Sequence, residues 1–151
     1  MQFTIRDFKE SDREDYYQMS HAFYHSDAVS HAIPKEFFAK TFDMCLKKSP
    51  FARGLIIKQE KMSAGFALLA FTYSNEVGGM VLLIEDLFIL PEFRGQGLVR
   101  KFFTQLENEY HGRVVRYRLE VTESNRQAIE VYQHFGYKKI DYISMIKEIS
   151  Y

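Results

Sequence analysis

"LFILPEFRGQGLVRKFF", residues 87–103, passes from branched apolar residues through a proline and a glycine-bracketed turn into apolar residues at helical spacing. Leu98, Phe102, Phe103, Leu106 and Tyr110 share one face of a helix that begins just after Gly95 and Gly97. A simple reversal needs one glycine, not two with Arg94 beside them. Glycines at a helix start let a group lie against main-chain N–H donors, which there lack intrahelical partners and sit at the positive end of the helix dipole. The stretch reads as strand, turn and helix arranged around an anion, and phosphate is the anion such sites gather.

The flanking sequence supplies the rest of a sheet. FTIRDF, from Phe3, alternates as a strand does. Ser11 followed by Glu14 has the form of a capping box opening a helix to about Tyr24. A loop with His25, Ser26, Asp27 and Ser30 leads to Pro34 and a second helix that ends before Pro50. GLIIKQE and AGFALLAFTYS read as strands joined by EKMS, and MVLLIEDLFIL is the strand that enters the glycine turn. After Gly112, VVRYRLEVT is strand-like, NRQAIEVYQHFG is a short helix closed by Gly136, and YKKIDYISMIKEI can supply two final strands. The order β-α-α-β-β-β-α-β-α-β-β predicts one α/β or α+β domain over residues 1–151, with helices on the faces of a mixed sheet.

Bulk properties narrow the function. A chain of 151 residues buries enough surface to fold without disulfides. Twenty basic residues balance twenty acidic ones, so no net field favours nucleic acid or an anionic membrane, and any anion contact is local. The one cysteine, Cys45, lies in a helical segment and reads as a small buried side chain in a reducing compartment. No signal-like start and no long apolar run is present, so a cytoplasmic protein is expected. His21 and His25 are four apart, but without an HExxH motif or a cysteine pair no metal site is expected.

Three phosphate motifs can be tested on the turn. A P-loop needs Lys-Ser/Thr after its last glycine, and Gly97 is followed by Leu98 and Val99. A dinucleotide fingerprint needs a third glycine where Arg100 stands. The third is Arg94-Gly95-Gln96-Gly97-Leu98, which resembles the pyrophosphate-binding signature Arg/Gln-x-x-Gly-x-Gly/Ala of the GNAT superfamily of acetyl-CoA-dependent N-acyltransferases, with Val99 in place of the small sixth residue. Downstream, "ESNRQAIEVYQHFGYKK" resembles that superfamily's second cofactor segment, with Asn125, Ala128, Tyr132 and Gly136-Tyr137 in the matching positions.

The resemblance implies a GNAT-like fold, a mixed, mostly antiparallel twisted sheet of about six to seven strands flanked by about four helices. It implies acetyl-CoA as cosubstrate, held by the strand Leu87, Phe88, Ile89, by the turn Arg94 to Arg100, and by Asn125 and Tyr132. An acceptor amine is an ammonium ion at neutral pH and must lose a proton before attack. Similarity to polyamine acetyltransferases at "LIEDLF" favours Glu85 as the base, with Asp86 second. Strand alternation puts those two side chains on opposite faces. Tyr132, protonated at pH 7, is the implied donor to the departing thiolate, and the N–H groups of Leu87 to Ile89 are an oxyanion-hole candidate. Asn125 reads also as a helix N-cap.

The acceptor pocket is expected from the loop around residues 24–33, including Tyr24 and Asp27, and from Phe71, Tyr73, Glu76 and Glu85. These would take a small-molecule amine, a small cationic amine or polyamine. A non-catalytic acyl-CoA sensor and a protein or peptide N-acetyltransferase are the alternatives. Dimers are common in the resembling family, and the final strands are the expected homodimer surface.

Overall fold

The structure is a computed structural model that describes residues 2–29 and 33–151. Five strands form one sheet in the order β1-β2-β3-β4-β5. They are β1 (Phe3–Asp7), β2 (Ala52–Gln59), β3 (Met62–Ser74), β4 (Gly79–Ile89) and β5 (Arg116–Leu119). The first four pair antiparallel, and β5 joins β4 in parallel after the helical crossover. Helices α1 (Arg13–Tyr24) and α2 (Lys35–Leu46) precede β2, α3 (Leu98–Glu109) makes the crossover, and α4 (Arg126–His134) follows β5.

Alternation along the strands divides the core in two. Leu55, Ile57, Ala67, Leu69, Leu82 and Ile84 pack with Phe102, Phe103 and Leu106 of α3. Ile56, Phe66 and Phe88 pack on the opposite face with Tyr16, Met19 and Phe23 of α1 and Phe38 and Phe42 of α2. The second cluster is held largely by aromatic pairs, such as Tyr16 edge-on to Phe66 with centroids 5.2 Å apart.

Two expectations are corrected. The segment 138–151 is in neither helix nor strand, so the sheet has five strands, and the strands expected to form a dimer surface are absent. Ile143, Met145 and Ile146 are each at least 80% exposed there, so the alternation that suggested strands has no sheet edge to pack against. The first helix is not opened by Ser11 and Glu14. A single 3-10 turn, Glu10–Asp12, precedes it, and the Asp12 carboxylate accepts the Lys9 N–H at 2.8 Å. Asp12 also receives two hydrogen bonds from Arg6, at 2.7 and 3.1 Å, and this buried pair outcompetes a surface serine as the stop for the chain.

Candidate active site

The turn after β4 is built by its own hydrogen bonds. A 3-10 turn, Pro91–Phe93, leads from β4, and Arg94 folds back so that its Nε donates to the Ile89 carbonyl at 2.9 Å. The Gln96 side-chain amide donates to the Glu92 carbonyl at 3.2 Å. Gly95 and Gly97 then take φ of 74° and 84°, the left-handed region that disfavours side chains. Gly97 is the N-cap of α3 and contributes no side-chain cap, so the first N–H groups of the helix face outward unpaired. A Cβ built on either glycine meets nothing within 4 Å, so the space over the turn is open. Val99 turns toward the α3 core instead of into that space. Arg100 reaches across to α4, with Nη2 3.3 Å from His134 Nε2 and its guanidinium over the Phe135 ring. An anion fits this cradle by charge, by free donors and by room.

A cleft continues from the cradle. The β4–β5 pairing stops at Ile84 and Leu119, while β4 runs on, paired only with β3 through Leu87, Phe88 and Ile89. The β4 edge toward β5 is therefore without a strand partner from Glu85 onward, which frees backbone groups for an extended ligand. Across from it, Asn125 caps α4 by accepting the Ala128 N–H at 3.3 Å, as its position predicted. Tyr132 stands edge-on to Phe103 at 6.2 Å and near Tyr137 at 6.1 Å. Its hydroxyl makes no hydrogen bond to any described residue, and burial pushes its pKa up, so it is a protonated and uncommitted donor.

The β4 strand changes face at Glu85 and Asp86. Leu69 pairs with Ile84 and Leu68 with Asp86, so Glu85 is an extra residue in the ladder, a bulge. Leu82 and Ile84 belong to the α3-side core, but Phe88, four residues after Ile84, belongs to the α1–α2 side. Alternation therefore lapses between Ile84 and Asp86, which puts Asp86, paired with Leu68, on the α1–α2 side. Both residues line one cavity of about 230 Å³, together with Tyr24, Thr41, Ala52, Leu68, Leu69 and Ala70.

Tyr24, the last residue of α1, donates its hydroxyl between the two carboxylate oxygens of Asp86, at 2.8 and 2.9 Å. Burial drives the Asp86 pKa up to about 6, against the Tyr24 hydrogen bond and with the help of the Glu85 charge. Burial also raises Glu85, and so does the nearby charge of Glu120, just beyond β5. Tyr24 itself is pushed far above its ordinary value by burial and by Asp86, and stays protonated.

The remaining expected pocket residues lie elsewhere. Phe71 packs on Tyr110, centroids 5.6 Å apart, and Tyr73 is exposed opposite Met80. Glu76, in the β3–β4 turn, pairs with Arg116 at 2.9 Å and accepts the Tyr142 hydroxyl at 2.5 Å. Tyr142 and then Arg116 hold its carboxyl below the usual range. That turn is about 20 Å along β4 from Glu85, so these residues are not gathered at the cavity. Asp27 is exposed in the loop after α1, and Ser30, with its neighbours to residue 32, lies outside the described residues.

The His21 and His25 rings stack at 4.0 Å, and among the described residues no three ligating groups gather for a metal. Cys45 is free, its thiol pushed up to about 11 by burial. No described helix is long and apolar enough to cross a membrane. Sequence reasoning missed Glu120 and Thr41. Glu120 could have been found, because Arg116 and Arg118 share its strand parity and the sign of charge flips where the strand ends.

Residues 6–137 match the model of the acetyltransferase (GNAT) family. The chain is 28% identical over 141 residues to thialysine N-epsilon-acetyltransferase of Mus musculus, covering 87% of this chain and 82% of that one. In fold it is similar to "a possible acetyltransferase from Clostridium difficile 630", with TM-score 0.82 and 16% identity over 100% of both chains. It is similar also to the aminoglycoside N-acetyltransferase AAC(6')-Iy solved with the bisubstrate analog CoA-S-monomethyl-acetylneamine, with TM-score 0.79 and 16% identity over 99% of this chain and 100% of that one. With its glycine cradle and its cleft between β4 and β5, the chain belongs to the acetyltransferase (GNAT) family and is an acetyl-CoA-dependent acyltransferase.

Proposed function

We propose that residues 1–151 act as one N-acetyltransferase domain that moves the acetyl group of acetyl-CoA to a primary amine, a small cationic amine or polyamine. The observation that carries this reading is the coincidence of the β4 bulge with the parting of β4 from β5. It supports a reaction centre where Glu85 and Asp86 border a cavity on one side and the free edge of β4 opens on the other.

In this reading the α3 N-terminus and its glycine turn hold the pyrophosphate, and the edge at Leu87 to Ile89, with Asn125, aligns the extended arm. Glu85 takes the proton from the ammonium, directly or through water, and its raised pKa brings it nearer the amine it must deprotonate. The neutral amine attacks the thioester carbonyl, whose developing negative charge N–H groups of the β4 edge can receive. Tyr132 returns a proton to the departing sulfur. The relative named for thialysine supports an amine acceptor. Exposed Tyr142, Ile143, Met145 and Ile146 support a homodimer in which a second copy covers the final segment.

Steady-state thiol release from acetyl-CoA over a panel of polyamines, amino acids, aminoglycosides and short peptides tests the reading. Tyr132→Phe should lower turnover about 10²-fold while acetyl-CoA affinity stays within about twofold. Unchanged turnover in that variant would return Tyr132 to a packing role, and release with no amine would remove the proposed reaction.

A further inference from the structure

Glu85 and Glu120 are the first residues past the last β4–β5 pair, Ile84 with Leu119. Neighbouring strands lie about 4.8 Å apart, so one carboxylate stands on each prong where the sheet forks. Tyr117 and Leu119 pack on the α3 side, which turns Arg116, Arg118 and then Glu120 to the other face, the face of Asp86. The two arginines do not neutralise Glu120: Arg116 pairs with Glu76, and the charge of Arg118 also acts there. Glu120 is exposed and makes no ion pair among the described residues. Burial raises the Glu85 carboxyl, and the Glu120 charge adds to that rise. The other titratable groups around Glu85 are Asp86 on its own strand and Tyr24 at the end of α1, while α2 brings Thr41 and β3 brings Leu68, Leu69 and Ala70.

Amide formation makes a demand that one carboxylate does not meet. The nitrogen enters as an ammonium with three protons and leaves as a secondary amide with one, so two protons depart, and Glu85 holds one at a time. Asp86 is a dead end for the first of them, because it is 7% exposed and Tyr24 already donates its one hydroxyl hydrogen to it. We infer that Glu120 is the proton outlet of Glu85. Glu85 takes the first proton from the ammonium and passes it, directly or through one water, to Glu120, which releases it to solvent. Glu85 is then free to take the second once the nitrogen has bonded to the acetyl carbon. The C–S bond breaks with its electron pair on sulfur, Tyr132 protonates the thiolate and recovers a proton from solvent, and each turnover releases one proton net. Glu120 acts through Glu85 and touches neither substrate. The inference rests on the proposed amine transfer, with Glu85 as its base, and adds the path by which the proton leaves.

The test is thiol release from acetyl-CoA with 1,4-diaminobutane by wild type, Glu120→Gln and Glu120→Asp, across pH, in dilute buffer and with added imidazole as an external proton acceptor. In dilute buffer at neutral pH, Glu120→Gln should turn over about tenfold more slowly than wild type with its acetyl-CoA affinity unchanged. Imidazole should restore most of that loss and leave wild type as it was, and Glu120→Asp should stay within about threefold of wild type. The acid limb of kcat/KM should move to lower pH in Glu120→Gln, because a like charge beside Glu85 is gone. Equal turnover of Glu120→Gln and wild type in dilute buffer overturns the inference. So does a loss that neither imidazole nor Glu120→Asp restores, which would make Glu120 a structural residue. If wild type releases thiol but Glu85→Gln is as fast, the transfer stands and this inference falls. If wild type releases no thiol with any amine, both fall.

Discussion

Asp12 and Asp86 are the same residue type, both buried on the α1 side of the sheet, and they are treated in opposite ways. Asp12 is 1% exposed and accepts two hydrogen bonds from Arg6 and one from the Lys9 backbone, with Lys58 Nζ at 3.8 Å. Burial alone would raise its pKa, but these partners outweigh burial and hold it below the usual value. Asp86 is also desolvated by burial, has one neutral donor and a like charge next door, and is driven up to about 6. A buried carboxylate with its cation in place ties β1 to α1. A buried carboxylate without one costs stability, and its place beside a cavity at the proposed reaction centre gives the reason for bearing that cost.

That contrast can be broken at several points. The largest effect is expected at Glu85, the partner of Asp86 in the bulge. Glu85→Gln should reduce thiol release by 10²-fold or more, with the acetyl-CoA dissociation constant unchanged, because only the proton acceptor is lost. Equal turnover would move the base to Asp86 or to water.

Next comes Asp12→Asn, which leaves Arg6 without its counter-ion. Urea unfolding should show a loss of about 3 kcal/mol, with turnover per folded molecule intact. A loss below about 1 kcal/mol would mean that the pair is solvated and the contrast overstated.

The pH dependence of stability separates the two sites by sign. Asp12, with a lowered pKa, stabilises the fold above the unfolded value near 3.8 and loses that contribution as pH falls through its lowered folded value. Asp86 is opposite. Its folded form holds a proton that the unfolded chain releases, so stability falls as pH rises from about 3.8 to about 6 and stays lower above that. Asp86→Asn should therefore be more stable than wild type at pH 8 by about 3 kcal/mol, and the difference should vanish near pH 4. The smallest effect is at the cradle. Gly97→Ala, at φ 84°, should cost about 1 kcal/mol of stability through backbone strain alone, since its Cβ enters open space.

The sequence made the cradle and the order of elements readable because both depend on local rules. Alternation marked β1, apolar runs bounded by turns marked β2 to β4, the paired glycines marked the start of α3, and Asn125 does cap α4. What stayed hidden depends on partners distant in the chain. The bulge at Glu85 is a property of β4's register against β3, and strict alternation along β4 alone gives the wrong face. The Tyr24–Asp86 bond joins residues 62 apart, and the polar Asp12–Arg6 pair took over a helix start that Ser11 and Glu14 seemed to mark. The final segment misled for the same reason, since a strand pattern makes a strand only where a sheet edge receives it.

The most direct measurement sets Asp12→Asn and Asp86→Asn side by side at pH 8, each scored for urea midpoint and for amine-dependent thiol release. The account predicts a crossed result: Asp12→Asn unfolds at lower urea with its turnover kept, while Asp86→Asn unfolds at higher urea with thiol release from a diamine reduced at least tenfold. If Asp86→Asn is instead less stable than wild type and keeps its rate, Asp86 is another structural carboxylate and the proposed centre at the β4 bulge is wrong.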